Sequence, residues 1–345
     1  MGNGVAWHGR ARMKPKILTT IQTYSGPLFV ADLFAGVTVA LVAIPLSLAI
    51  AIASGADPAA GLVTAIIAGF LISFLGGSRV QIGGPTGAFI VVVFGVIVAH
   101  GYGGLVLATF MAGIILIVAG LMRAGNLISF VPEAVVNGFT IGIAIIIAAS
   151  QLNDLFGLTT SGLPAEFFSK LEVLWAARGT VNWASVGIGA VTMVLIVGLR
   201  RVAPKFPGLI VAVGLTSAVV YLFHLPVDTI GSRFGALPSQ LPMPKLPGLS
   251  LDRVTELLPS AFVIAFLAGV ESLLSAMVAD RMTGGQYRRN AEVMAQGAAN
   301  MGSALFGGLP ATGAIARTAT NVRAGGKTPV AGIVHAFTIL MAVLF

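Results

Sequence analysis

The sequence predicts an all-α polytopic membrane protein with an inverted internal repeat and two helices broken within their spans. Three observations predict it. Of 345 residues, 57% are hydrophobic and only 9% charged, and apolar runs of about twenty residues recur from end to end, a pattern that soluble domains do not show. Two short segments, Gly83–Ile90 (GGPTGAFI) and Gly307–Ala316 (GGLPATGAIA), put glycine and proline where an apolar span should run unbroken. A matched pair of broken spans is the best sequence pointer to a binding site in such folds. Finally, Thr86–Phe89 (TGAF) and Thr312–Ile315 (TGAI) share a motif at an offset that also maps Pro45 onto Glu271.

The predicted spans are 32–53, 59–76, 85–99, 103–121, 133–151, 183–201, 207–224, 257–279, 293–308, 312–322 and 329–345. The first is interrupted by Pro45 and the eighth by Glu271, while the third and tenth are too short to be helical throughout. Seven crossings separate the two motif copies; because seven is odd, the second copy enters the membrane from the opposite face, which makes the repeat inverted.

Charge placement supports this map. With a cytoplasmic N-terminus, one side collects Arg10, Arg12, Lys14, Lys16, Arg79, Arg123, Arg200, Arg201, Lys205, Arg281, Arg288, Arg289, Arg323 and Lys327, and the other only Lys170, Arg178, Arg233, Lys245 and Arg253. The acids Asp32, Glu133, Asp280 and Glu292 are assigned to the basic side. The formal charge of +8 follows from this asymmetry, and no nucleic-acid partner is needed to explain it. The basic N-terminal segment suits contact with anionic lipid. No small-residue cleavage site follows it, so a removable signal peptide is not expected.

The broken spans define the expected site. The first short helix should start near Pro85 and the second near Thr312, with extended chain from Arg79 to Gly84 and from Gly308 to Ala311 entering from opposite sides. Two helix N-termini then converge, each worth roughly half a positive charge and several unpaired N–H groups, which suits a small anion. Gly83, Gly84, Gly87, Gly307, Gly308 and Gly313 would let it approach the backbone, and Thr86 and Thr312 would act as N-caps or hydroxyl donors. The candidate binding residues are therefore Gly84, Pro85, Thr86, Gly87, Ala88, Phe89, Thr312, Gly313, Ala314, Ile315 and Arg317. For glycines of unbroken spans, such as Gly69 and Gly142, helix packing is the better reading.

Arg317 is the base within a predicted span, read either as an electrostatic attractor or as a structural partner for Glu271. Glu271 is the acid within a span, read as a proton carrier or sodium ligand, or as one half of a fixed pair with Arg317. Gln296 and Asn300, one helical turn apart, and Pro45 are candidate cavity-lining residues, with interhelical hydrogen bonding the simpler role for the two amides. There is no cysteine, which removes disulfides and thiol chemistry. His8, His100, His224 and His335 have no metal-ligand spacing with a carboxylate, so no metal is expected; His335 retains a minor reading as a proton relay. No cofactor beyond a coupling proton or sodium ion is implied. With no paired carboxylates, metal cluster or activated nucleophile, an intramembrane enzyme is disfavoured.

The stretches Asp32–Leu62 (DLFAGVTVALVAIPLSLAIAIASGADPAAGL), Gly76–Phe89 (GGSRVQIGGPTGAF), the Glu271 span and Asn300–Gly332 (NMGSALFGGLPATGAIARTATNVRAGGKTPVAG) together resemble the sulfate permease, or SulP, anion transporter family, which includes prestin and pendrin. The resemblance covers nearly the whole chain. It implies seven plus seven inverted spans shared with uracil transporters. It also implies a core of spans 1–4 and 8–11 (32–121 and 257–345 here) that moves in elevator fashion against a gate domain (133–224 in part). Residues 1–31 are then a cytoplasmic segment and 225–256 an extracytoplasmic linker. On this resemblance the substrate is a small inorganic or organic anion, sulfate first and bicarbonate or a dicarboxylate next. The binding site falls between Pro85–Phe89 and Thr312–Arg317, Glu271 takes the place of the coupling acid, and the full-length protein is a homodimer in a bacterial inner membrane. The chain ends at Phe345, inside the expected span 11, so spans 12–14 and the STAS domain typical of the family are expected to be missing. Rival readings are an uncoupled anion channel or exchanger and a nucleobase permease of the same fold, against which Arg317 argues.

Overall fold

The computed structural model describes residues 13–126, 133–160, 162–164, 166–202, 208–229, 231–232 and 240–344. His8, Arg10, Arg12, Lys205, Arg233 and Phe345 lie outside the described residues. In chain order the elements are α1 (Gly26–Ala53), α2 (Pro58–Leu75), β1 (Gly83–Gly84), a 3-10 turn (Gly87–Phe89), α3 (Ile90–Leu121), α4 (Glu133–Phe156), α5 (Phe167–Ala176), α6 (Trp183–Val202), α7 (Gly208–Phe223), α8 (Leu251–Thr283), α9 (Arg289–Leu305), β2 (Thr312–Gly313), α10 (Ile315–Arg323) and α11 (Pro329–Leu344). Among the described residues, five helical stretches are long and apolar enough to cross a membrane: α1, α2, Gly87–Leu121, α6 and α8. The chain divides into two compact units, residues 1–136 with 238–345, and residues 137–237.

In the first unit, helix ends follow local chemistry. Asp57 accepts the Ala59 amide at 2.8 Å just ahead of Pro58 to start α2, and Gly284, in the left-handed region at φ 69°, closes α8. α1 runs through Pro45 and α8 through Glu271 without a break, so neither residue interrupts its span as the sequence suggested. The third and fourth predicted spans are one merged helix, α3, kinked at Gly101 (φ 69°, ψ 174°). Beside the kink, His100 Nδ1 lies 2.9 Å from Glu256 Oε1 on α8.

Small residues let these helices meet at backbone distance. A Cβ on Gly113 would lie 2.7 Å from the Gly297 carbonyl oxygen, and one on Gly297 would lie 2.6 Å from that of Gly113, so α3 and α9 touch main chain to main chain. Around this seam Val93, Leu105, Leu107, Leu116, Leu257 and Ile264 form the main buried apolar cluster. Asp32, the first residue of the first predicted span and counted with the charges of the basic side, is fully buried: its Oδ1 accepts the amides of Lys327 (2.8 Å) and Thr328 (3.1 Å), and its Oδ2 accepts the Thr328 and Tyr24 hydroxyls. It occupies the positive N-terminal end of α11, where a carboxylate is favoured. Glu292 is also fully buried rather than exposed to solvent, for a reason that becomes clear at the site.

The unit is pinned at its centre by a ribbon of two strands of two residues each. β1 and β2 pair antiparallel, Gly83 opposite Gly313 and Gly84 opposite Thr312. This pairing keeps the chain extended past the expected helix starts. The first short helix begins at Gly87 rather than Pro85, and the second at Ile315 rather than Thr312. Thr312 is therefore not an N-cap; Ala314 holds that position.

In the second unit, α6 and α7 are joined by a hydrogen bond between Thr192 and Thr216 at 3.1 Å. The ten-residue helix α5 was not foreseen. Glu166 starts it by accepting the amides of Phe168 and Ser169, and at ten residues it is too short to cross a membrane.

Candidate functional site

Both ends of the broken segments are built by borrowed hydrogen bonds. A chain that leaves helical geometry inside a membrane protein must have its backbone polar groups satisfied by neighbours. On the ascending side, the Gly77 and Ser78 amides donate to Glu292 Oε2 at 2.8 and 3.0 Å, while Ser272 and Gln296 donate to its Oε1 at 3.3 and 2.8 Å. Four donors around one carboxylate explain how Glu292 is buried without a cation. Above it, Asn321 donates to the Val80 carbonyl (2.8 Å), the Ile82 amide donates to Thr318 (3.1 Å), and the Ala314 amide donates to the Ile82 carbonyl (2.9 Å). On the descending side, the Leu309 amide donates to Thr64 (2.7 Å) and its carbonyl accepts from Ser303 (2.7 Å). Asn300 pairs with both main-chain groups of Ala311, Nδ2 donating to the carbonyl (2.8 Å) and Oδ1 accepting the amide (2.9 Å). Asn300 thus acts as a one-residue substitute for a neighbouring strand.

At the ribbon itself, Arg317 comes from the first turn of α10 and is 1% exposed. Its Nη2 donates to Ser47 Oγ on α1 at 3.0 Å, and the Ser47 hydroxyl in turn donates to the Ala43 carbonyl at 2.7 Å. Nε and Nη1 are buried with no partner. Nη1 lies against the main chain of Gly84, where a Cβ would come within 2.1 Å of it, and Gly84 has φ +151°. The backbone geometry therefore favours glycine there, and a side chain would have to displace the guanidinium.

Glu271, 4% exposed, accepts the Thr86 hydroxyl at 2.9 Å. No ion pair joins it to Arg317 within 4.0 Å. The fixed Glu271–Arg317 pair considered from sequence is thus not formed. Thr312 donates to the Ala268 carbonyl at 2.9 Å. Thr86 and Thr312 therefore both direct their hydroxyls at α8, one at a carboxylate and one at a carbonyl.

The structure brings Gly84, Thr86, Glu271, Thr312, Gly313 and Arg317 together through these contacts. Phe89 is 2% exposed, whereas Ala88 and Ile315 are partly open and Pro45 is exposed. Ala316, which the sequence reading passed over, is also exposed. Gln296 and Asn300 are fully buried and direct their amides at Glu292 and Ala311. Sequence reasoning missed three further residues: Ser47, Gln81 and Glu292. Gln81 donates to the Ser272 carbonyl and hydroxyl (3.2 and 3.0 Å), and its amide fills the space where a Cβ on Gly313 would sit. For Ser47 and Gln81 the signal available was a polar residue among apolar neighbours; Glu292 carries no local signal of its burial. His335 is fully buried on α11 with neither ring nitrogen hydrogen-bonded. Among the described residues no group of three or more His, Cys, Asp or Glu is arranged to hold a metal.

Residues 29–345 match the model of the sulfate permease family. The chain is 45% identical over 323 residues to the putative sulfate transporter YvdB of Bacillus subtilis, covering 93% of this chain and 61% of that protein. It is 30% identical over 323 residues to the bicarbonate transporter BicA of Picosynechococcus, covering 91% and 57% respectively. The chain thus spans about three fifths of the length of these relatives. Among solved structures it is similar to the transmembrane domain of a cyanobacterial BicA, with TM-score 0.79 and 30% identity over 93% of this chain and 83% of that one. It superposes on SLC26A9 with TM-score 0.81 over 100% of this chain and 58% of that one; at 18% identity this likeness speaks to the fold alone.

Proposed function

The chain belongs to the sulfate permease family, and on that premise we propose that it carries the substrate site of a secondary active transporter for a small anion. The observation that supports this best is the state of Arg317: a buried guanidinium, steadied on one edge by Ser47, with Nε and Nη1 unpaired. Unpaired buried donors of a cation are costly, and an anion is the ligand that removes that cost. The N-termini at Gly87 and Ile315 add backbone amides and partial positive charge on either side of the ribbon. Ala88, Ile315 and Ala316 offer the open edge through which a ligand reaches them.

Sulfate is the leading substrate, by the name of the nearest of the relatives above, with bicarbonate and small dicarboxylates following. Glu271 is the coupling residue. It is a buried carboxyl with one neutral donor and no paired cation, placed where a proton or sodium ion could share the site with the anion. Transport proceeds by an elevator movement of the segments carrying the ribbon, in a plasma-membrane protein with a cytoplasmic N-terminus that forms a homodimer when full length.

The test is uptake by purified protein in proteoliposomes, comparing sulfate, bicarbonate, fumarate, chloride and uracil, with and without a proton or sodium gradient. Gradient-driven sulfate uptake that disappears in Arg317→Ala is expected. Uptake of uracil, or anion flux indifferent to Arg317, would overturn the site assignment.

A further inference from the structure

A cavity away from Arg317 lies in the first unit, at the end that carries the α8–α9 and α10–α11 turns. It measures about 460 Å³ and is lined by Arg79, Asp280, Gly284–Gln286 and Lys327, among others. That volume falls within the usual range for small-ligand sites, roughly 300–1,000 Å³.

Asp280, the acid that lines it, keeps one carboxylate oxygen beside Gly285, and the cavity's donors outnumber that acceptor. Asp280 Oδ2 takes the Tyr287 amide at 2.7 Å, and the Asp280 carbonyl takes the Gly284 amide at 2.7 Å. At the end of α10, the carbonyls of Asn321 and Val322 take the amides of Gly326 (2.9 Å) and Gly325 (3.1 Å). Both helix C-termini are therefore capped by their own chain. By contrast, no acid lies within 4.0 Å of Arg79 or Lys327, and the amides of Gly285 and Gln286 donate to nothing among the described residues. Two further cations stand close by. Burial, then Arg288 and Arg79, holds the Lys16 ammonium below its ordinary range, and burial followed by Arg79 does the same to Arg288. Asp280 offsets part of this charge, but one carboxylate among Arg79, Lys327, Lys16 and Arg288 leaves an excess of positive charge that an anion would relieve.

We propose that this cavity is a second anion site, which takes a small divalent oxyanion between the Arg79 and Lys327 side chains and the Gly285 and Gln286 amides. Paired backbone amides in a glycine turn beside cations are a recurring oxyanion cradle. The site is chemically independent of Arg317 but mechanically continuous with the ribbon. Arg79 and Val80 begin the extended run to β1, and Asn321 of α10 holds the Val80 carbonyl. In the orientation proposed above it opens to the cytoplasm, where the available oxyanions are the transported anion itself or inorganic phosphate.

Equilibrium dialysis of the purified protein against radiolabelled sulfate, and in parallel against inorganic phosphate, tests this at physiological ionic strength. The samples are wild type, Arg317→Ala, the double variant Arg79→Gln/Lys327→Gln, and the triple variant. Arg79 and Lys327 are exposed, so the double variant should melt as the wild type does. Two anions per wild-type chain, one in each partial variant and none in the triple are expected, the affinity of the second site falling about tenfold or more when both cations are removed. Tighter sulfate than phosphate at the second site assigns it to the transported anion, and the reverse assigns it to a cytosolic phosphate. One anion per wild-type chain, lost in Arg317→Ala, overturns the second site and leaves the transport reading standing. One anion kept in Arg317→Ala and lost in the double variant sustains the second site and overturns the assignment of Arg317. Absence of binding in all four overturns both.

Discussion

The two broken segments have the same outline and opposite chemistry. The first, from Gly77 to Phe89, brings no charge to the ribbon, its Arg79 lining the cavity at the α8–α9 turn instead: Glu292 holds its base, and its hydroxyl at Thr86 is turned to Glu271. The second, from Gly308 to Arg317, is held at its base by three neutral side chains, Thr64, Ser303 and Asn300, and brings the cation itself. Their glycines differ too. Gly84 is pressed between Arg317 and its own φ of +151°, while Gly307, at φ +70°, has nothing within 4 Å of where a Cβ would go. The lesson is that a shared motif, TGAF against TGAI, fixes where the chain breaks but not which copy supplies positioning and which supplies charge.

The comparison can be broken most severely at Gly84. Gly84→Ala should displace the Arg317 guanidinium and abolish sulfate uptake, with a fall in melting temperature. Gly307→Ala, strained only by its left-handed backbone, should cost about 1–2 kcal/mol and leave uptake measurable. Equal effects in a paired uptake and thermal-melting assay would refute the asymmetry. Next in size is Asn300→Leu, which strands the buried amide and carbonyl of Ala311 at about 1–3 kcal/mol each; a large drop in melting temperature is expected, larger than for Thr64→Val. Glu292→Gln puts an amide group among four donors and should destabilise by about 3 kcal/mol, more than Gln296→Leu, which removes one donor. The smallest contrast is between Thr86 and Thr312. Thr86→Val should slow gradient-driven uptake about tenfold by releasing Glu271, whereas Thr312→Val, which frees only a carbonyl, should slow it about threefold or less. Identical rates for the two would mean that the Thr86–Glu271 contact has no part in coupling.

Much of this was legible in the sequence, because the signals were of kinds that a one-dimensional reading registers. Apolar length located the spans, the two Gly-Pro interruptions located the ribbon, and isolated charges singled out Arg317 and Glu271. What escaped depends on contacts between segments far apart in the chain. The burial of Asp32 and Glu292 at span ends is not legible because nothing local shows that Lys327–Thr328 and Gly77–Ser78 will deliver donors to them. The helix starts fell two or three residues late because pairing between Gly83–Gly84 and Thr312–Gly313 outcompetes helical geometry, and pairing partners are not written in either segment alone. Ser47 looked like one small residue among many until Arg317 reached it across the fold.

The side chain of Gln81 against Gly313 carries one more consequence. A strand pair of two residues would ordinarily be free to slip by one position, since it has little hydrogen bonding to lose. Here a slip would bring Thr312 or Ala314 to the place of Gly313, and its methyl or branched side chain would have to occupy the space already filled by the Gln81 amide. The ribbon's register is therefore keyed like a lock with a single notch, and in a chain with no cysteine the spacing of the two helix starts is set without any covalent tie.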